Sequence, residues 1–419
     1  MRGSKLRYLE KWVSKGAFMG SGFDKDRLQR VVELCDRYVN DGKFSCAQVQ
    51  IAHRGSVALR YTVGSADLES GTSLREDAIF RIYSMTKPIT SIALMQLYEK
   101  GLFILEDPVA KYIPAFANPQ VLVGGSYLNP VTRPAQTELT IRDMLLHTSG
   151  LTYGFHYSNN LDKMYRYKKI AGAAEGADGT LEEKINELAT LPLLFDPGTA
   201  WNYSMSTDVC GRLIEVLSGK GLDEYLEEHV LGPAGMNDTG FCVKEGQADR
   251  FTSNYAFTPK DPLMLIDPAS TSPYLAQPLF LSGGGGLVST IDDYQRFVDM
   301  LLNGGEIDGK RIIGRHTLDF MTLNHLPGGA TLNDLGQSTF TETAMEGMGF
   351  GLGFSVLVNP AANAALGSVG EFAWGGAAST RFWVDPLEDI TCVFMTQFMP
   401  SSHYPIRREL KAVVYQALK

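Results

Sequence analysis

Apolar residues recur along this chain with different spacings, which separate predicted helices from predicted strands. A spacing of three to four residues is typical of amphipathic helices, whereas short runs rich in β-branched and aromatic residues are typical of strands. Helical spacing is found in residues 24–38, 88–100, 140–147, 181–191, 209–218, 222–230, 291–302 and 406–418. Strands are predicted at residues 47–52, 56–61, 349–358, 381–384 and 390–396, and the turn His53-Arg54-Gly55 joins the first pair as a hairpin.

The predicted strands lie near both ends of the chain, and the middle reads as mainly helical. We therefore expect an α+β fold, an α/β sandwich in which an antiparallel sheet is flanked by helices. The α/β domain is predicted to consist of residues 1–105 and 285–419. Residues 106–284 are predicted to form the mainly helical domain.

The composition is that of an ordinary globular protein and excludes some classes of partner. Of 419 residues, 44% are hydrophobic and 20% are charged, which allows a sizeable core. A net charge of −9 argues against a nucleic-acid partner. The chain has no apolar run of about 18 residues, and no apolar segment follows its positive N-terminus. We therefore expect a cytoplasmic protein without a signal peptide or membrane anchor.

Cysteine and histidine usage gives no sign of a disulfide framework or a metal site. The cysteines are scattered and contain no Cys-x-x-Cys pair, so we expect free thiols in a reducing compartment. They are Cys35, Cys46, Cys210, Cys242 and Cys392. No His-Glu-x-x-His occurs, and we expect neither a metal nor another cofactor. The oligomeric state is left open.

Candidate chemistry begins at Ser84-x-x-Lys87, at the start of a predicted helix. Pro88 belongs in the first turn of that helix, which places Ser84 at or just before its N-terminus. Lys87 lies one turn further on, where burial and the helix dipole favour a neutral amine able to act as a base. Backbone N–H groups at the helix start are free to bind an oxyanion. The alternative is a capping serine followed by a solvated lysine.

Three further motifs accompany Ser84-x-x-Lys87 along the chain. Residues 145–151 (LLHTSGL), 197–204 (PGTAWNYS) and 284–290 (GGGLVST), followed by Asp293-Tyr294, stand in a familiar order and spacing. With Ser84-x-x-Lys87, they resemble the class C-like branch of the superfamily of serine β-lactamases and penicillin-binding proteins. The resemblance covers roughly residues 25–415 and implies a β-lactamase-like fold.

Departures from that pattern favour one branch. Position 205 is Met where the tyrosine motif usually ends in Asn, and Trp374-Gly375-Gly376 stands where Lys-Thr-Gly is usual. A Trp-Gly-Gly replacement is similar to the family VIII carboxylesterases. A lysine at 374 could pair with the carboxylate of a β-lactam, whereas Trp374 offers an apolar wall for a neutral ester.

The resemblance implies a mechanism and a set of site residues. Ser84 attacks the ester carbonyl, Lys87 and Tyr203 share the role of base, and the N–H groups of Ser84 and Ala377 hold the oxyanion. Expected substrate-binding residues are Trp374, Gly375, Gly376, Tyr153 and Phe155, the last two by position and type. The implied activity is a carboxylesterase for short-chain acyl esters, acting through an acyl-enzyme on Ser84. Weak cephalosporin hydrolysis is a possible side activity, and a small-molecule ester is the expected partner.

Other functions fit the sequence less well. A β-lactamase or D-aminopeptidase-like amidase lacks the expected lysine at 374 and asparagine at 205. A catalytically silent binding or scaffold protein has no need of intact Ser84, Lys87 and Tyr203. No Gly-x-Ser-x-Gly elbow occurs, and no Gly-Lys-Ser/Thr follows the glycines at 283–286. A dyad of His147 with Ser149 is the remaining alternative for a serine nucleophile, and it is less favoured because this segment is read as a helix end turned by Gly150.

Overall fold

The centre of the computed structural model is an antiparallel sheet built from both ends of the chain. The structure describes residues 17–18, 22–170 and 178–419. Within these residues the sheet has nine strands. Eight follow one another in the order Ala17–Phe18, Ser56–Asp67, Cys46–His53, Ile390–Met395, Arg381–Asp385, Phe372–Gly375, Ser355–Leu357 and Met348–Phe350, and Thr72–Ser73 pairs with Ser56–Asp67. Every pairing is antiparallel, so the fold class predicted from the sequence is confirmed.

Alternating side chains of these strands serve two cores, one on each face of the sheet. Phe382 and Val384 join the larger core, whereas Trp383 between them joins the smaller one. This alternation follows from the two-residue period of a strand. The predicted hairpin is confirmed, with Arg54 at φ 50° and Gly55 at φ 71° in its tight turn.

Helices cover both faces of the sheet. Lys25–Asn40 and Ile406–Tyr415 pack together over the smaller core, and Ile291–Leu302 packs on the opposite face. The other helices with more than one turn are Thr86–Glu99, Ile141–Leu146, Asn160–Tyr167, Leu181–Ala189, Ser206–Ser218, Leu222–Leu226 and Arg315–Met321. Shorter helical pieces are Gly232–Ala234, Leu332–Leu335 and Pro360–Asn363, and Glu227–Leu231 is a π-helical segment.

Thr86–Glu99, which we call the nucleophile helix, is buried on all sides. Every residue from Thr86 to Leu97 is buried, as expected for a helix without a polar face. The helix packs against Ser206–Ser218, which connects it to the middle part of the chain. Its N-terminus is held by the Tyr294 hydroxyl, which donates to the Met85 carbonyl at 2.9 Å. The position of Ser84 is therefore set by a rigid element.

The structure differs from the predicted elements in several places. The helices Asn160–Tyr167 and Arg315–Met321 were not predicted. The single strand expected at 349–358 is a hairpin of Met348–Phe350 and Ser355–Leu357, because Gly353 turns the chain at φ 97°. The middle of the chain, expected to be helical, also contains strands. These are Gln120–Gly125, Pro130–Pro134, Asn254–Ala256 and Met264–Asp267.

The strand Asn254–Ala256 pairs with Phe398–Met399, so the middle of the chain is also joined to the C-terminal part. The division into the domains 1–105 with 285–419 and 106–284 stays a prediction. No helix in the described part of the chain is long and apolar enough to cross a membrane.

Candidate active site

Ser84 lies in a short helical turn, Tyr83–Met85, that leads into the nucleophile helix. The preceding residue, Tyr83, has a left-handed backbone conformation with φ 43°, which is uncommon for a bulky residue and typical of functional sites. The Tyr83 hydroxyl is held by the Asn254 side-chain amide at 3.0 Å. Ser84 itself is half-buried, whereas its neighbours Tyr83 and Met85 are buried.

The three predicted catalytic side chains meet at the Ser84 hydroxyl. Tyr203 OH donates to Ser84 Oγ at 2.5 Å, and Lys87 Nζ lies 3.4 Å from the same oxygen. Tyr203 comes from residues just before the helix Ser206–Ser218, which packs against the nucleophile helix. This arrangement has the nucleophile–base contact that activates a serine.

Lys87 is buried and held by two further acceptors. Its Nζ donates to Tyr153 OH at 2.8 Å and to the Gly284 carbonyl at 2.6 Å. Burial lowers the pKa of Lys87 to about 8, although the Asp208 and Glu342 carboxylates oppose that shift. A neutral amine that keeps both hydrogen bonds uses both of its N–H groups, which leaves its lone pair for Ser84.

Tyr203 is a neutral phenol at moderate pH. Burial raises its pKa well above the ordinary value, and the Glu342 carboxylate adds to the effect. Lys87 Nζ lies 4.6 Å from the centre of the Tyr203 ring, so the phenol and the amine are close neighbours in the site. With its pKa nearer to neutral pH, Lys87 is better suited to accept a proton, and Tyr203 is suited to donate one.

Tyr153 and Phe155, expected as pocket walls, have different positions. Tyr153 is buried and bonded to Lys87, closer to the reacting atoms than predicted. Phe155 is 40% exposed and stacks on Tyr153, with ring centroids 4.6 Å apart. Phe155 is thus placed to contact a ligand, and its role in substrate binding stays a prediction.

The expectation that Trp374 forms a wall for the substrate is not supported. Its side chain is fully buried, so it has no surface to offer a ligand. The indole packs on Tyr203, with ring centroids 5.5 Å apart, and on Phe350 at 5.4 Å. Trp374 therefore packs against Tyr203 and does not face a ligand.

The glycines after Trp374 are needed for packing between protein segments. A Cβ at Gly375 would lie 2.5 Å from Nη2 of Arg407. A Cβ at Gly376 would lie 2.4 Å from the Ile82 carbonyl oxygen, which brings this segment against the residues that precede Ser84. These contacts explain the glycines without a substrate, and their role in binding one stays a prediction.

Ala377 lies half-buried in the turn between the strands Phe372–Gly375 and Arg381–Asp385. Among the described residues, neither its N–H nor that of Ser84 donates to a protein acceptor within hydrogen-bond distance. Free N–H groups next to a nucleophile are what an oxyanion hole requires. The assignment of Ser84 and Ala377 to this role stays a prediction.

Sequence reasoning missed two residues near the site: Asp208, which positions a partner of Lys87, and Phe340, which lies beside Phe155 and Tyr203. Asp208 Oδ1 accepts from Gly284 N at 3.1 Å and so fixes the segment whose carbonyl binds Lys87. Phe340 lies with its ring centroid 6.1 Å from Phe155 and 6.5 Å from Tyr203. An aspartate in an apolar helix was a usable signal for the first. Phe340 lies in a polar stretch that gave none.

The alternative dyad of His147 and Ser149 is not formed. His147 Nδ1 bonds with Ser204 Oγ at 3.1 Å, and Ser149 Oγ bonds with Ser206 Oγ at 2.7 Å. Burial lowers the pKa of His147 well below its usual value. Both residues therefore tie the end of the helix Ile141–Leu146 to the segment that carries Tyr203.

The Beta-lactamase family profile matches residues 31–416, which is most of the chain. The chain belongs to the beta-lactamase family. The protein is therefore a serine hydrolase of this family, and Lys87 and Tyr203 both lie against the Ser84 hydroxyl. The family resemblance inferred from the sequence motifs is confirmed.

Named proteins and a solved structure are similar to most of this chain. Protein Rv1367c of Mycobacterium tuberculosis (strain H37Rv) is 34% identical over 371 residues, 88% of each chain. Esterase EstB of Burkholderia gladioli is 28% identical over 381 residues, 88% of this chain and 89% of the relative. The solved structure of EstCE1, described as a hydrolase with promiscuous acyltransferase activity, has a TM-score of 0.78 at 26% identity, covering 93% of this chain and 99% of that one. The chain is thus a family VIII esterase-like serine hydrolase.

Proposed function

We propose that this protein is a carboxylesterase that hydrolyses short-chain acyl esters through an acyl-enzyme on Ser84. The observation that carries the proposal is the Ser84 hydroxyl, 2.5 Å from Tyr203 OH and 3.4 Å from Lys87 Nζ. EstB, a relative along most of the chain, is named as an esterase, which supports an ester as the substrate.

Acylation begins with proton transfer from Ser84 Oγ to the neutral amine of Lys87 as the oxygen attacks the ester carbonyl. The tetrahedral oxyanion is held by the N–H groups of Ser84 and Ala377. Tyr203, a phenol beside Ser84 Oγ, gives its proton to the departing alcohol and is reprotonated from the Lys87 ammonium. The ester C–O bond breaks, and the acyl group remains on Ser84.

Deacylation repeats these steps with water as the nucleophile. The neutral Lys87–Tyr203 pair takes a proton from water as it attacks the acyl carbon. Ser84 then leaves as the alcohol and regains its proton. Both halves need a neutral amine, so activity is expected to rise with pH towards the Lys87 pKa of about 8.

An uncharged ester suits the side chains around Ser84 better than a β-lactam does. Phe155 and Phe340 form an aromatic border on the Tyr203 side. Trp374 stands in place of the lysine that would pair with a β-lactam carboxylate. We therefore infer that cephalosporins are hydrolysed slowly.

The test compares p-nitrophenyl butyrate with a chromogenic cephalosporin, using the wild-type protein and Ser84→Ala. Rapid ester turnover that disappears in Ser84→Ala, with slow cephalosporin turnover, is the expected result. Ser126→Ala is the matched control, because Ser126 is exposed in the loop between the strands Gln120–Gly125 and Pro130–Pro134. Fast cephalosporin turnover with poor ester turnover would favour a β-lactamase, and ester turnover surviving in Ser84→Ala would contradict the whole mechanism.

Acyl transfer to an alcohol is a second candidate activity. The description of EstCE1 as a hydrolase with promiscuous acyltransferase activity supports it. The same acyl-enzyme would serve, with an alcohol replacing water in the second half. Adding 1-butanol to the p-nitrophenyl butyrate reaction should then yield butyl butyrate, and its absence would restrict the enzyme to hydrolysis.

We further propose a cytoplasmic location. All five cysteines are free, and Cys35, Cys46, Cys210 and Cys392 are buried as thiols. Unpaired cysteines are typical of proteins in a reducing compartment. Fractionation of the producing cells would test this, and recovery outside the cytoplasm would contradict it.

A further inference from the structure

Arg407 lies behind the turn that carries Ala377. It stands in the first turn of the helix Ile406–Tyr415. Its Nη2 lies within hydrogen-bond distance of the carbonyl oxygens of Gly376 and Thr380, each at 3.0 Å. The Gly376 carbonyl and the Ala377 N–H belong to one planar peptide unit. A donor fixed on that carbonyl therefore also fixes the direction of the Ala377 N–H.

The guanidinium of Arg407 packs against the strand Phe372–Gly375, which precedes this turn. It occupies the space next to Gly375, where a Cβ would lie 2.7 Å from Arg407 Cζ and 3.0 Å from Nη1. The side chain is only 16% exposed. Gly375 in the Trp-Gly-Gly segment thus makes room for an arginine, which gives this glycine a role in the architecture of the site.

Arg407 is itself held from the other side by Glu342, whose side chain is fully buried. Arg407 Nη2 lies 2.7 Å from Glu342 Oε2, and Nη1 donates to the Glu342 backbone carbonyl at 2.9 Å. Ser401 Oγ also donates to Glu342 Oε2, at 3.0 Å. A guanidinium on a buried carboxylate has a fixed geometry, so its position does not depend on a substrate.

We propose that Arg407 is a positioning residue for the oxyanion hole. It orients the Gly376–Ala377 peptide and polarises it, so that the Ala377 N–H is a stronger donor to the oxyanion of the tetrahedral intermediate on Ser84. No bond to Arg407 forms or breaks in the reaction. The inference rests on the proposed function, since it takes Ala377 as an oxyanion donor.

The test combines turnover with binding of a tetrahedral adduct. An alkyl boronic acid bonds to Ser84 Oγ and places a boron-bound oxygen where the oxyanion would lie. Arg407→Met is expected to lower kcat for p-nitrophenyl butyrate roughly 10- to 100-fold, with KM little changed. Its affinity for the boronic acid should fall by a similar factor. Arg407→Lys should recover part of both losses.

Arg408→Met is the matched control, because Arg408 is the next residue on the same helix and is exposed. Active sites are counted by labelling with a fluorophosphonate, so that kcat refers only to folded protein. If Arg407→Met does not fold, the comparison is made with Arg407→Lys, which keeps the charge beside Glu342.

The outcomes separate this inference from the proposed function. Wild-type kcat and boronate affinity in the Arg407 variants, with ester turnover that still requires Ser84, would overturn the inference and leave the esterase intact. If the Arg407 variants have a higher KM or a lower melting temperature than the wild type but bind the boronic acid equally well, Arg407 has only a structural role and the inference is overturned. A wild-type protein that neither hydrolyses esters nor is labelled at Ser84 would refute the proposed function and this inference together.

Discussion

Replacing Tyr153 by phenylalanine tests whether the ionisation of Lys87 controls the reaction. The Tyr153 hydroxyl accepts a hydrogen bond from Lys87 Nζ at 2.8 Å, and both side chains are buried. Phenylalanine keeps the ring that stacks on Phe155. The substitution therefore removes one acceptor from the ammonium and leaves the packing in place.

The size of the effect follows from the difference between the two forms of Lys87. A hydrogen bond involving a charged group contributes about 1.5–3 kcal/mol. The bond from Lys87 Nζ to Tyr153 OH therefore stabilises the ammonium form of Lys87 more than the neutral amine. If about half of that value separates the two forms, the pKa falls by about one unit, since 1.36 kcal/mol corresponds to one unit. The Lys87 pKa, lowered by burial to about 8, would then be about 7.

The assay is the pH dependence of kcat/KM for ethyl butyrate, followed in a pH-stat. In the proposed mechanism the neutral amine is the active form, so the acid limb of the wild-type profile is expected near the Lys87 pKa of about 8. In Tyr153→Phe the limb should move down by about one unit. Tyr225→Phe is the matched control, because its buried hydroxyl has no hydrogen-bond partner in the described part of the chain and its ring lies beside His229.

An acid limb that stays in place in Tyr153→Phe would refute this reasoning, since the ionising group would then not be Lys87 in its observed environment. A complete loss of activity in the folded variant would also contradict it. That result would mean that the Tyr153 hydroxyl takes part in proton transfer.

Three further predictions concern packing, a buried ion pair and pH-dependent stability. Gly284→Ala should lower kcat/KM at least about tenfold, because its Cβ would lie 2.5 Å from Oδ2 of Asp208, whose other oxygen, Oδ1, accepts from Gly284 N. Gly124→Ala, with open space around it, is the control and should keep full activity. Lys411→Met should lower the free energy of unfolding in urea by about 3–5 kcal/mol. The substitution removes the ammonium that lies 2.8 Å from the buried Glu371 carboxylate. A loss below about 1 kcal/mol would contradict a buried ion pair. Burial raises the pKa of Asp293 to about 6, so the native state binds a proton that the unfolded state has released, and stability should fall as pH rises from about 4 to about 6. Asp293 should contribute on the order of 3 kcal/mol to that fall, and Asp293→Asn should remove this contribution. The free energy of unfolding in urea is measured for both proteins across this pH range, and the same pH dependence in both would refute the prediction.

The parts of the site that depend on local sequence were the ones that the sequence could predict. Ser84 and Lys87 are one helical turn apart, and Pro88 fixes where that turn begins, so their convergence follows from helix geometry. Tyr203 is separated from them along the chain, and only the family resemblance connected it to Ser84. The structure brings all three together.

Features that depend on contacts between distant segments were not predictable in the same way. The residue type of Trp374 suggested a wall, but no pattern indicated that its face of the strand would be covered by Tyr203 and Phe350. Gly375 makes room for Arg407, a residue in a different element, and no local signal connects them. At 349–358, continuous apolar character concealed the turn at Gly353.

The pairing of the two chain ends in one sheet has a consequence for how the protein is made. The Thr396 hydroxyl donates to the Cys46 carbonyl across 350 residues of chain. At a synthesis rate of about 5–20 residues per second, Cys46–His53 waits roughly 20–70 s for the neighbouring strand. Until then one edge of the hairpin is open to other chains, which is a risk for aggregation. Ser84 emerges early, whereas Ala377 and Arg407 emerge late. Under the proposed function, a nascent chain would therefore carry its nucleophile long before it could hold an oxyanion.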